Sequence, residues 1–579
     1  MRKLLVAAGI PALYLLLFAA MTWPLAARCT TACAYVPNSD AYQFLWNTWH
    51  LRAAVLGGQN PLFTDYLFYP TGSWLIMHGY TPVFGIANLL LNNNFLALNA
   101  VTALSFALSG AGAYRLARRW VAHPVLCLLV GVFFAFSPYK LQRLPEHYNL
   151  LLTATVPYYI DAFLRAFAFA EGRPWLRVSS WKHVLYCGIL GVVTLLSDYY
   201  VLFGLLYFSA AYAAWFWLRL GRLDWQRGRT WGLLVVFLAV SHVALRLLRL
   251  SGADDNAGFF WGGDVVAYFL PPPTSRWLAF DWATRLYNNG QVFTMPGSLE
   301  ITLFLGYLLL LLGAAVWLWP RRPPSARHRS PAGRPLAWVL LFFVLLTVPG
   351  LRILGHERLN LPTAVLHFVP FFNNLRCPTR WVMFVSLLLP IVTFSAAEAA
   401  WASHGPRRAH TALALLLLAG VLVEFWPRPY QLATAALVPP AYRLAARLPG
   451  RTLIPIPLAV ADGYHHLGQG ERDQLFFQTV HHKKMPIGYL SRVAPALFDS
   501  LRRQPVLGFL LSAQEHPDSL GTPPTPPQVA AFARRYQPAA FVISPAWRGS
   551  AAHRQVQALF PGFEEVVFAD GYVLLRPRQ

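Results

Sequence analysis

The residues of this sequence that could carry out acid–base chemistry stand in short polar stretches between long apolar ones. Asp40 is the first of them, in a stretch rich in Trp, Tyr, Asn and Asp (residues 36–79), and Trp46 and Trp49 follow it at helical spacing. A carboxylate placed there could act as a general base on a hydroxyl acceptor. It could equally cap the helix that begins there, with Ser39 as the other candidate cap. Asp40 taken alone does not decide between these roles.

The aromatic residues after Asp40 indicate where this helix lies. Trp and Tyr at helical spacing are typical of a short amphipathic helix on a membrane surface, with its rings at the headgroup level. Trp46 and Trp49 are candidate substrate-binding residues. His78 ends the same polar stretch, and a hydrogen-bonded structural histidine is the alternative to a substrate ligand.

Two further polar stretches stand at the edges of apolar segments. "SPYKLQRLPEHYNLLL" contains Lys140, Arg143, His147 and Asn149, and "LLSDYYVLF" places Asp198 within an apolar run. Ionisable residues at such positions are costly and usually mark a site or a water-filled cavity. Carboxylate and imidazole groups could also hold Mg²⁺ or Mn²⁺, so the candidate metal ligands are Asp40, His147 and Asp198, although their spacing is not a metal signature.

Glu300, Arg376 and Arg380 complete the candidate set. Glu300 opens an apolar segment, where the helix macrodipole alone favours a carboxylate. Arg376 and Arg380 are four residues apart and therefore share one helical face. They either extend toward lipid headgroups, as basic residues at membrane edges do, or bind the phosphate of a lipid substrate.

The elements that must position these residues are membrane helices. Of 579 residues, 56% are hydrophobic and 12% are charged, where a soluble domain has roughly 25% charged residues. The first apolar segment, residues 4–26, is long enough to span a bilayer and has no clear cleavage site, so we interpret it as a retained anchor. Further predicted spans bring the number to about eleven; they lie near 95–115, 124–138, 148–169, 184–200, 201–219, 231–250, 299–319, 336–350, 381–400 and 410–426.

The excess of positive charge predicts the orientation in the membrane. The net charge is +24, but no basic run typical of nucleic-acid binding occurs, and we expect no nucleic-acid partner. Arginines cluster instead in alternate loops, as at Arg115, Arg118 and Arg119, which predicts a cytoplasmic N-terminus. All the candidate residues above then face the outer side of a cell membrane, where we expect them to converge on one pocket.

The chain changes character after residue 427. Residues 1–427 are predicted to form the transmembrane domain, with a first external loop at 26–80. Residues 428–579 are predicted to form a small soluble extracytoplasmic α/β domain, because "GRTLIPIPL" and "EEVVFADGYVLLRP" are typical of strands while "PPAYRLAARL" and "PPQVAAFARRY" have helical spacing. Cys29 and Cys33, on the outer side, are either paired or free thiols.

Several of these motifs together resemble the GT-C superfamily of integral-membrane glycosyltransferases, and more closely a set of bacterial members. The resemblance covers roughly residues 10–400 with gaps. The motifs that carry it are "TWPLA" at 22–26, Asp40 ahead of Trp46 and Trp49, "NPLF" at 60–63, "FYPTG" at 68–72, His147 with Asn149, Glu300 with "LFLGY" at 303–307, and "LRCPTR" at 375–380.

This resemblance implies a mainly α, polytopic helical bundle of GT-C type. It implies transfer of a hexosyl or pentosyl group from a polyprenyl-phosphate donor to a lipid or glycan acceptor at the outer face. The first-loop acid, Asp40, inherits the role of general base or metal-orienting carboxylate. Arg376 and Arg380, with Lys140 or Arg143, would neutralise the departing lipid phosphate. The chain lacks the paired acidic "DE" of the protein mannosyltransferases, which argues against protein O-mannosylation.

Two other classes of protein remain open from the sequence. A lipid or sugar transporter would also need charged groups at an external cavity, although the matching halves or broken helices of many transporters are not evident. A non-catalytic scaffold of the same fold is the second alternative. No G-x-G-x-x-G motif after a strand and no P-loop are found, so a nucleotide-sugar donor is not expected.

Overall fold

The computed structural model describes residues 2–37, 39–76, 78–169, 177–218, 262–318, 333–361, 363–364, 376–401, 407–470 and 472–578. Over these residues the chain is mainly helical, which confirms that part of the predicted fold class. It divides into two compact units. The described residues of the first unit lie within 1–27, 100–218 and 262–430, and those of the second lie within 28–99 and 431–579.

The first unit is built almost entirely of helices. They span Arg2–Met21, most of Asn94–Ala117, Pro124–Ala135, Pro138–Arg143, Thr155–Ala166, Trp181–Leu195, Tyr199–Leu218, Asp281–Tyr287, Tyr307–Leu318, Gly333–Thr347, Val382–Trp401 and Arg407–Phe425. Two short antiparallel hairpins accompany them, formed by Phe167–Ala168 with Arg177–Val178 and by Gly350–Ile353 with His356–Asn360.

Five helices in the described part of the chain are long and apolar enough to cross a membrane: Asn94–Ala117, Pro124–Arg143, Tyr199–Trp217, Pro378–Ala400 and Arg408–Phe425. They support the prediction of a membrane protein. The predicted number of about eleven spans is not confirmed, and the predicted span at 231–250 lies outside the described residues. The orientation also stays a prediction.

The segment predicted to span the membrane at 148–169 differs from that expectation. It begins with the 3-10 turn Tyr148–Leu151, and its α-helix covers only Thr155–Ala166. Twelve residues of helix rise about 18 Å, short of the roughly 30 Å of a hydrocarbon core. The helix also holds buried Asp161, whose carboxylate accepts hydrogen bonds from Arg119 at 2.7 Å and Arg165 at 3.1 Å. The apolar pattern alone did not reveal this polar face.

Glycines allow the helices of the first unit to pack closely. A Cβ atom at Gly204, in the Tyr199–Leu218 helix, would overlap the ring of Phe384. Likewise, a Cβ at Gly110 would lie 2.6 Å from the ring of Tyr14, whose hydroxyl donates a 2.8 Å hydrogen bond to the Leu128 carbonyl. Small residues at helix crossings are the usual means of close packing between membrane helices.

The second unit combines sheets with helices. Its main sheet has four strands in the order Phe563–Val567, Val573–Pro577, Pro538–Ile543 and Thr452–Ile456; the last two run parallel and the other pairs antiparallel. A smaller sheet joins His466–Gly468, Ala459–Ala461 and Gly488–Tyr489. Two short antiparallel pairs complete the strands: Ala32–Ala34 with Leu432–Thr434, and Phe63–Thr64 with Ser73–Trp74.

The helices of the second unit span Ala41–Leu56, Pro82–Leu91, Pro440–Ala445, Asp473–His481, Pro495–Arg503, Pro505–Glu515, Pro526–Tyr536 and Ala551–Leu559. The predicted strands and helices of the C-terminal segment are confirmed, and Pro440 and Pro526 stand at the helix starts, as predicted. This unit also contains residues 28–99, so the first loop and the C-terminal segment share one body. A separate soluble domain at 428–579 stays a prediction.

The Ala41–Leu56 helix is not the membrane-surface helix that its pattern predicts. Most of its residues are buried, among them Trp46 at 0% and Trp49 at 9% exposure. Its partners are the Asp473–His481 helix and the Pro82–Leu91 helix. An amphipathic pattern shows that one face of a helix is buried. Here that face packs against protein, whereas the sequence pattern predicted that it contacts lipid. Cys29 and Cys33 are not joined by a disulfide bond.

Candidate functional site

Asp40 stands at the N-cap position of the Ala41–Leu56 helix, but its side chain does not cap the helix. Ser39 serves the helix start instead, because its Oγ accepts a 3.3 Å hydrogen bond from the Ala41 amide. The Asp40 Oδ1 accepts a 2.5 Å hydrogen bond from Arg472 and lies 3.4 Å from the Tyr489 hydroxyl. The side chain of Asp40 is 20% exposed, so another molecule can reach it.

Arg472 and Tyr489 also form part of a cavity wall in the second unit. The Arg472 guanidinium lies over the Tyr489 ring at 4.3 Å from its centroid, a distance at which a cation and an aromatic face attract each other. The cavity has a volume of about 320 Å³, and Gln474 and Asp462 belong to the same wall. The acid predicted to act on a hydroxyl therefore contacts two residues in the wall of a space that can hold a small molecule.

His78 lies close to Asp40 but is buried, with 2% exposure. Its Nδ1 accepts a 3.0 Å hydrogen bond from the Ser491 amide, so the proton of the neutral ring belongs on Nε2, which lies 3.0 Å from Oδ1 of Asn47. Burial lowers the pKa of His78 to about 3, against a smaller opposing effect of Asp40. His78 therefore joins the first loop to the segment around Ser491, and its assignment as a substrate-binding residue stays a prediction.

Trp46 and Trp49 lie in the hydrophobic core of the second unit. The indole nitrogen of Trp46 donates a 2.6 Å hydrogen bond to Oε1 of Gln478, and its ring stacks on His50 at 4.7 Å. Trp49 stacks on His482 at 5.3 Å. Both rings are held by these contacts, and neither is free to stack on a substrate without rearrangement. Their assignment as substrate-binding residues stays a prediction.

A second polar cluster lies in the first unit, around the carboxylate of Glu300. Arg143 donates to Oε2 at 2.9 Å, and Arg380 donates to both oxygens, with its Nε 3.0 Å from Oε2. His147 places its Nδ1 3.8 Å from Oε1. All four residues are predicted site residues, and the structure brings them together although they are far apart in the chain.

Two guanidiniums, those of Arg143 and Arg380, face the carboxylate of Glu300. The Arg380 guanidinium also lies over the Tyr200 ring at 4.6 Å, and its side chain is 14% exposed, while that of Arg143 is fully buried. Arg143 therefore fixes the position of the Glu300 carboxylate, which in turn binds Arg380. Of the two guanidinium side chains, only that of Arg380 has exposed surface that an anion can approach.

Asp198 and Asn149 form a pair in the same unit. The Asn149 amide donates a 2.6 Å hydrogen bond to Oδ2 of Asp198, and the Val201 amide donates at 3.1 Å to Oδ1, which places the carboxylate at the start of the Tyr199–Leu218 helix. Asp198 is 9% exposed. Its carboxylate is thus used to hold the start of that helix.

Lys140 and Arg376 differ in how accessible they are. Lys140 is 1% exposed, and its Nζ lies 3.2 Å from the Ser109 hydroxyl, 3.0 Å from the Thr153 hydroxyl and 4.2 Å from the centroid of the Phe106 ring. An amine enclosed in this way cannot contact a lipid phosphate without rearrangement. Arg376 is half-buried and precedes Cys377, whose amide donates to the Tyr200 hydroxyl.

The residues that the structure describes do not fit the predicted Mg²⁺ or Mn²⁺ site. Across those ranges no three His, Cys, Asp or Glu side chains are placed so that they could hold a metal ion together. Asp40 belongs to one compact unit, and His147 and Asp198 belong to the other. The prediction of a metal at these three residues is not confirmed, and the predicted convergence of Asp40 with the first-unit cluster stays a prediction.

Sequence reasoning missed the partners of Asp40. Arg472 and Tyr489 lie in the C-terminal segment, which was interpreted only as a separate domain. The segment "QGERDQLFF" does offer a signal, because Arg472 immediately precedes a helix in which Asp473 stands in the first turn. An arginine before a helix N-terminus is unfavourable for the macrodipole, so a nearby acid such as Asp40 could have been expected.

A family model described as a domain of unknown function, DUF6311, matches residues 12–426. The chain belongs to the DUF6311 family. The matched region contains Asp40, the Glu300 cluster and every other predicted site residue, whereas Arg472 and Tyr489 lie beyond it. No curated protein matches the chain by sequence.

A solved structure with a measurable likeness is the oligosaccharyltransferase of Archaeoglobus fulgidus, crystallised with Zn and sulfate. The sequence identity is 11% and the TM-score is 0.42, and the match covers 98% of this chain and 73% of the archaeal one. A TM-score of this size does not establish a shared fold. The resemblance to the GT-C superfamily therefore depends on the sequence motifs.

Proposed function

We propose that this protein is an integral-membrane glycosyltransferase. In this proposal it moves a hexosyl or pentosyl group from a polyprenyl-phosphate donor to a hydroxyl of a lipid or glycan acceptor at the outer face of a cell membrane. The motifs around Asp40, Glu300 and Arg380 support this assignment, as do the five apolar helices. Transport of a lipid or sugar, or a scaffold role, is the alternative that experiments must separate from it.

The state of Asp40 is the observation that carries the proposal. Its structural alternative was a helix cap, and the structure gives the side chain a different role. The carboxylate accepts a hydrogen bond from Arg472 and is partly exposed, and Arg472 belongs to the wall of a cavity. An acid that makes no cap hydrogen bond to its own helix and is held by an arginine of a cavity wall is suited to accept a proton from a bound hydroxyl.

The reaction breaks the bond between the anomeric carbon of the donor sugar and its phosphate oxygen. A bond forms between that carbon and the acceptor oxygen, Asp40 takes the acceptor's proton, and polyprenyl phosphate leaves with the electron pair. Because the leaving group is already a phosphate, the protein has mainly to align the reactants and stabilise charge.

Arg380 is the best candidate for stabilising the phosphate. It is one of two guanidiniums at the Glu300 carboxylate and keeps part of its side chain accessible. Arg376, four residues earlier, is half-buried and could supply the second guanidinium. Arg143 and Lys140 are enclosed, so in this proposal Arg143 positions Glu300 and Lys140 supports the packing around Ser109 and Thr153.

Glycan analysis of a deletion strain tests the proposal. The strain should lose one glycolipid or glycan species and accumulate the form that lacks its last sugar, and the wild-type gene should restore the species. The Asp40→Asn variant should fail to restore it. Asp65→Asn is the matched control, because Asp65 is also a partly exposed acid of the second unit in an ion pair, with Lys484.

The outcome for Asp40→Asn separates the classes of function. An enzyme with Asp40 as its base loses turnover although the protein is present in the membrane in normal amount. A transporter or a scaffold has no need of a base at this position, and full restoration of the glycan by Asp40→Asn would overturn the proposed role.

A further inference from the structure

Three arginines of the first unit share one buried carboxylate, that of Asp161. Its side chain is 6% exposed, and it accepts hydrogen bonds from the Nε atoms of Arg119 at 2.7 Å and Arg165 at 3.1 Å. The Nη2 atom of Arg115 lies 3.3 Å from the same carboxylate. Within the described ranges these arginines form no ion pair with any other acid, so three positive charges face one negative charge.

The three guanidinium side chains stay accessible although Asp161 holds them. The exposed fraction of the side chain is 60% for Arg115, 45% for Arg165 and 27% for Arg119. Arg165 donates to Asp161 through its Nε only, so both of its terminal nitrogens remain for another acceptor. Guanidinium groups bind phosphate oxygens through paired hydrogen bonds, and a guanidinium that is already held in place loses less freedom when it does so.

The arginines stand at the end of a membrane-length helix. Arg115 lies in the last turn of the Asn94–Ala117 helix, and Arg119 lies in the short loop that leads to the Pro124–Arg143 helix. Both helices are long and apolar enough to cross a membrane. The loop between them therefore marks one edge of the helical bundle.

Two more membrane-length helices reach the same loop. Glu398, near the end of the Pro378–Ala400 helix, accepts a hydrogen bond from the His123 amide. The His123 ring Nε2 lies 3.0 Å from the hydroxyl of Thr411, near the start of the Arg408–Phe425 helix. Four apolar helices thus begin or end at this edge, and such an edge is where a membrane-crossing bundle meets the lipid headgroups.

An exposed apolar stripe begins beside the arginines. The Ser179 amide donates a 2.7 Å hydrogen bond to the carbonyl of Ala166, the residue after Arg165, and the Trp181–Leu195 helix starts directly beyond Ser180. One face of that helix carries large apolar side chains that are 50–74% exposed. These side chains are Trp181, Leu185, Ile189 and Val192. A continuous apolar face of this kind is suited to contact acyl chains.

We propose that Arg115, Arg119 and Arg165 bind the phosphate headgroup of an anionic phospholipid whose acyl chains lie along the exposed face of the Trp181–Leu195 helix. A lipid with a net negative charge neutralises the excess of guanidinium groups. A zwitterionic lipid does so less well, because its headgroup brings a cation of its own. The apolar face distinguishes a lipid from free phosphate, which shares the headgroup chemistry but has no chains to cover it.

Native mass spectrometry of the purified full-length protein in detergent tests the proposal. The probes are phosphatidylglycerol, phosphatidylcholine of the same chain length, and inorganic phosphate. Phosphatidylglycerol should bind about fivefold more tightly than phosphatidylcholine, and Arg115→Gln and Arg165→Gln should each weaken its binding about fivefold, the usual effect of one basic residue at an anionic lipid. Arg408→Gln is the matched control and should change little, because Arg408 is exposed at the same edge but makes no ion pair with Asp161.

Asp161→Asn separates an organised site from a general attraction between positive protein and anionic lipid. The substitution makes the protein more positive, so general attraction predicts tighter binding of phosphatidylglycerol. An organised site predicts weaker binding, because the guanidiniums lose the acceptor that holds them.

Arg165→Lys provides the same distinction without removing the buried acid, in case Asp161→Asn does not fold. It keeps the positive charge but loses the planar fork, so binding of phosphatidylglycerol should weaken. Three results overturn the proposal: unchanged affinity in Arg165→Lys, equal effects of Arg165→Gln and Arg408→Gln, or displacement of phosphatidylglycerol by inorganic phosphate at equal concentration.

Discussion

Arg472 donates a 2.5 Å hydrogen bond to the carboxylate of Asp40, although 432 positions separate the two residues in the chain. The pair joins the first polar loop to the C-terminal segment within one compact unit. The contact gives a role to the polar and aromatic stretch at residues 36–79, which follows an apolar helix. Trp46, Trp49 and His78 of this stretch are buried, whereas Asp40 stays partly exposed.

Asp40→Asn should leave the stability of the protein nearly unchanged, whereas Ser39→Ala should lower it. A partly exposed ion pair such as that of Asp40 with Arg472 contributes about 0–1 kcal/mol, whereas loss of the buried Ser39 hydrogen bond to the Ala41 amide costs about 0.5–1.5 kcal/mol. Thermal unfolding of both variants in detergent measures the difference. If Asp40→Asn were the more destabilising of the two, Asp40 would be a structural residue and the catalytic interpretation would lose its main support.

Glu300→Gln should destabilise the first unit strongly. It leaves Arg143 and Arg380 buried without their counter-ion, and removal of one partner from a buried ion pair typically costs about 3–5 kcal/mol. Thermal unfolding should show a large drop that Arg380→Met, added to Glu300→Gln, partly reverses. Asp499→Asn, which breaks an exposed pair with Arg503, is the control and should have almost no effect. Equal effects of Glu300→Gln and Asp499→Asn would contradict the buried cluster.

The second unit should become less stable as the pH falls from about 6.5 toward 4. Burial lowers the pKa of His78 to about 3, of His50 to about 4 and of His481 to about 3. Below the ordinary histidine pKa, these histidines are protonated in the unfolded chain but stay neutral in the folded protein. The free energy of unfolding therefore falls by about 1.4 kcal/mol per pH unit for each of them.

His78→Gln isolates the contribution of one such group. The variant should show a shallower decline of unfolding temperature between pH 7 and 5 than the wild type. His465→Gln is the control, because the side chain of His465 is 61% exposed, and it should keep the wild-type slope. A slope in His78→Gln identical to that of the wild type would show that His78 is not buried in its neutral form.

Gly204→Ala tests the packing of the first unit. The added methyl group would overlap the ring of Phe384, so one of the two helices must shift, and overpacking of this kind typically costs about 1–3 kcal/mol. Gly188→Ala is the matched control, because a Cβ there meets nothing within 4 Å, and alanine should stabilise the helix by up to about 1 kcal/mol. Opposite shifts in unfolding temperature are the expected result, and equal shifts would refute the close contact.

The elements of the fold could be predicted largely because their signals are local. Apolar runs predicted most helices of the first unit, and Pro440 and Pro526 marked helix starts because proline is tolerated in a first helical turn. The length of the helix Thr155–Ala166 was overestimated, because the average hydrophobicity of its region hides the buried carboxylate of Asp161.

Individual residues of the candidate site could be predicted from the sequence, but their contacts with one another could not. Residue types and membrane edges indicated Asp40, Glu300 and Arg380, but no local pattern states that Arg143 and Arg380 share Glu300, or that Arg472 reaches Asp40. Such pairings depend on how distant segments pack. The helical spacing of Trp46 and Trp49 was likewise ambiguous, because burial against protein and burial in lipid produce the same periodicity.

The most direct test of the central claim is a transfer assay with purified protein. Membranes of the deletion strain, which should contain both the lipid-linked donor and the unmodified acceptor, are incubated with wild-type protein, Asp40→Asn or Asp65→Asn, and the glycans are measured by mass spectrometry. The account predicts that wild type and Asp65→Asn add one sugar residue and that Asp40→Asn, folded and present in equal amount, adds none. Transfer by Asp40→Asn at the wild-type rate would contradict it.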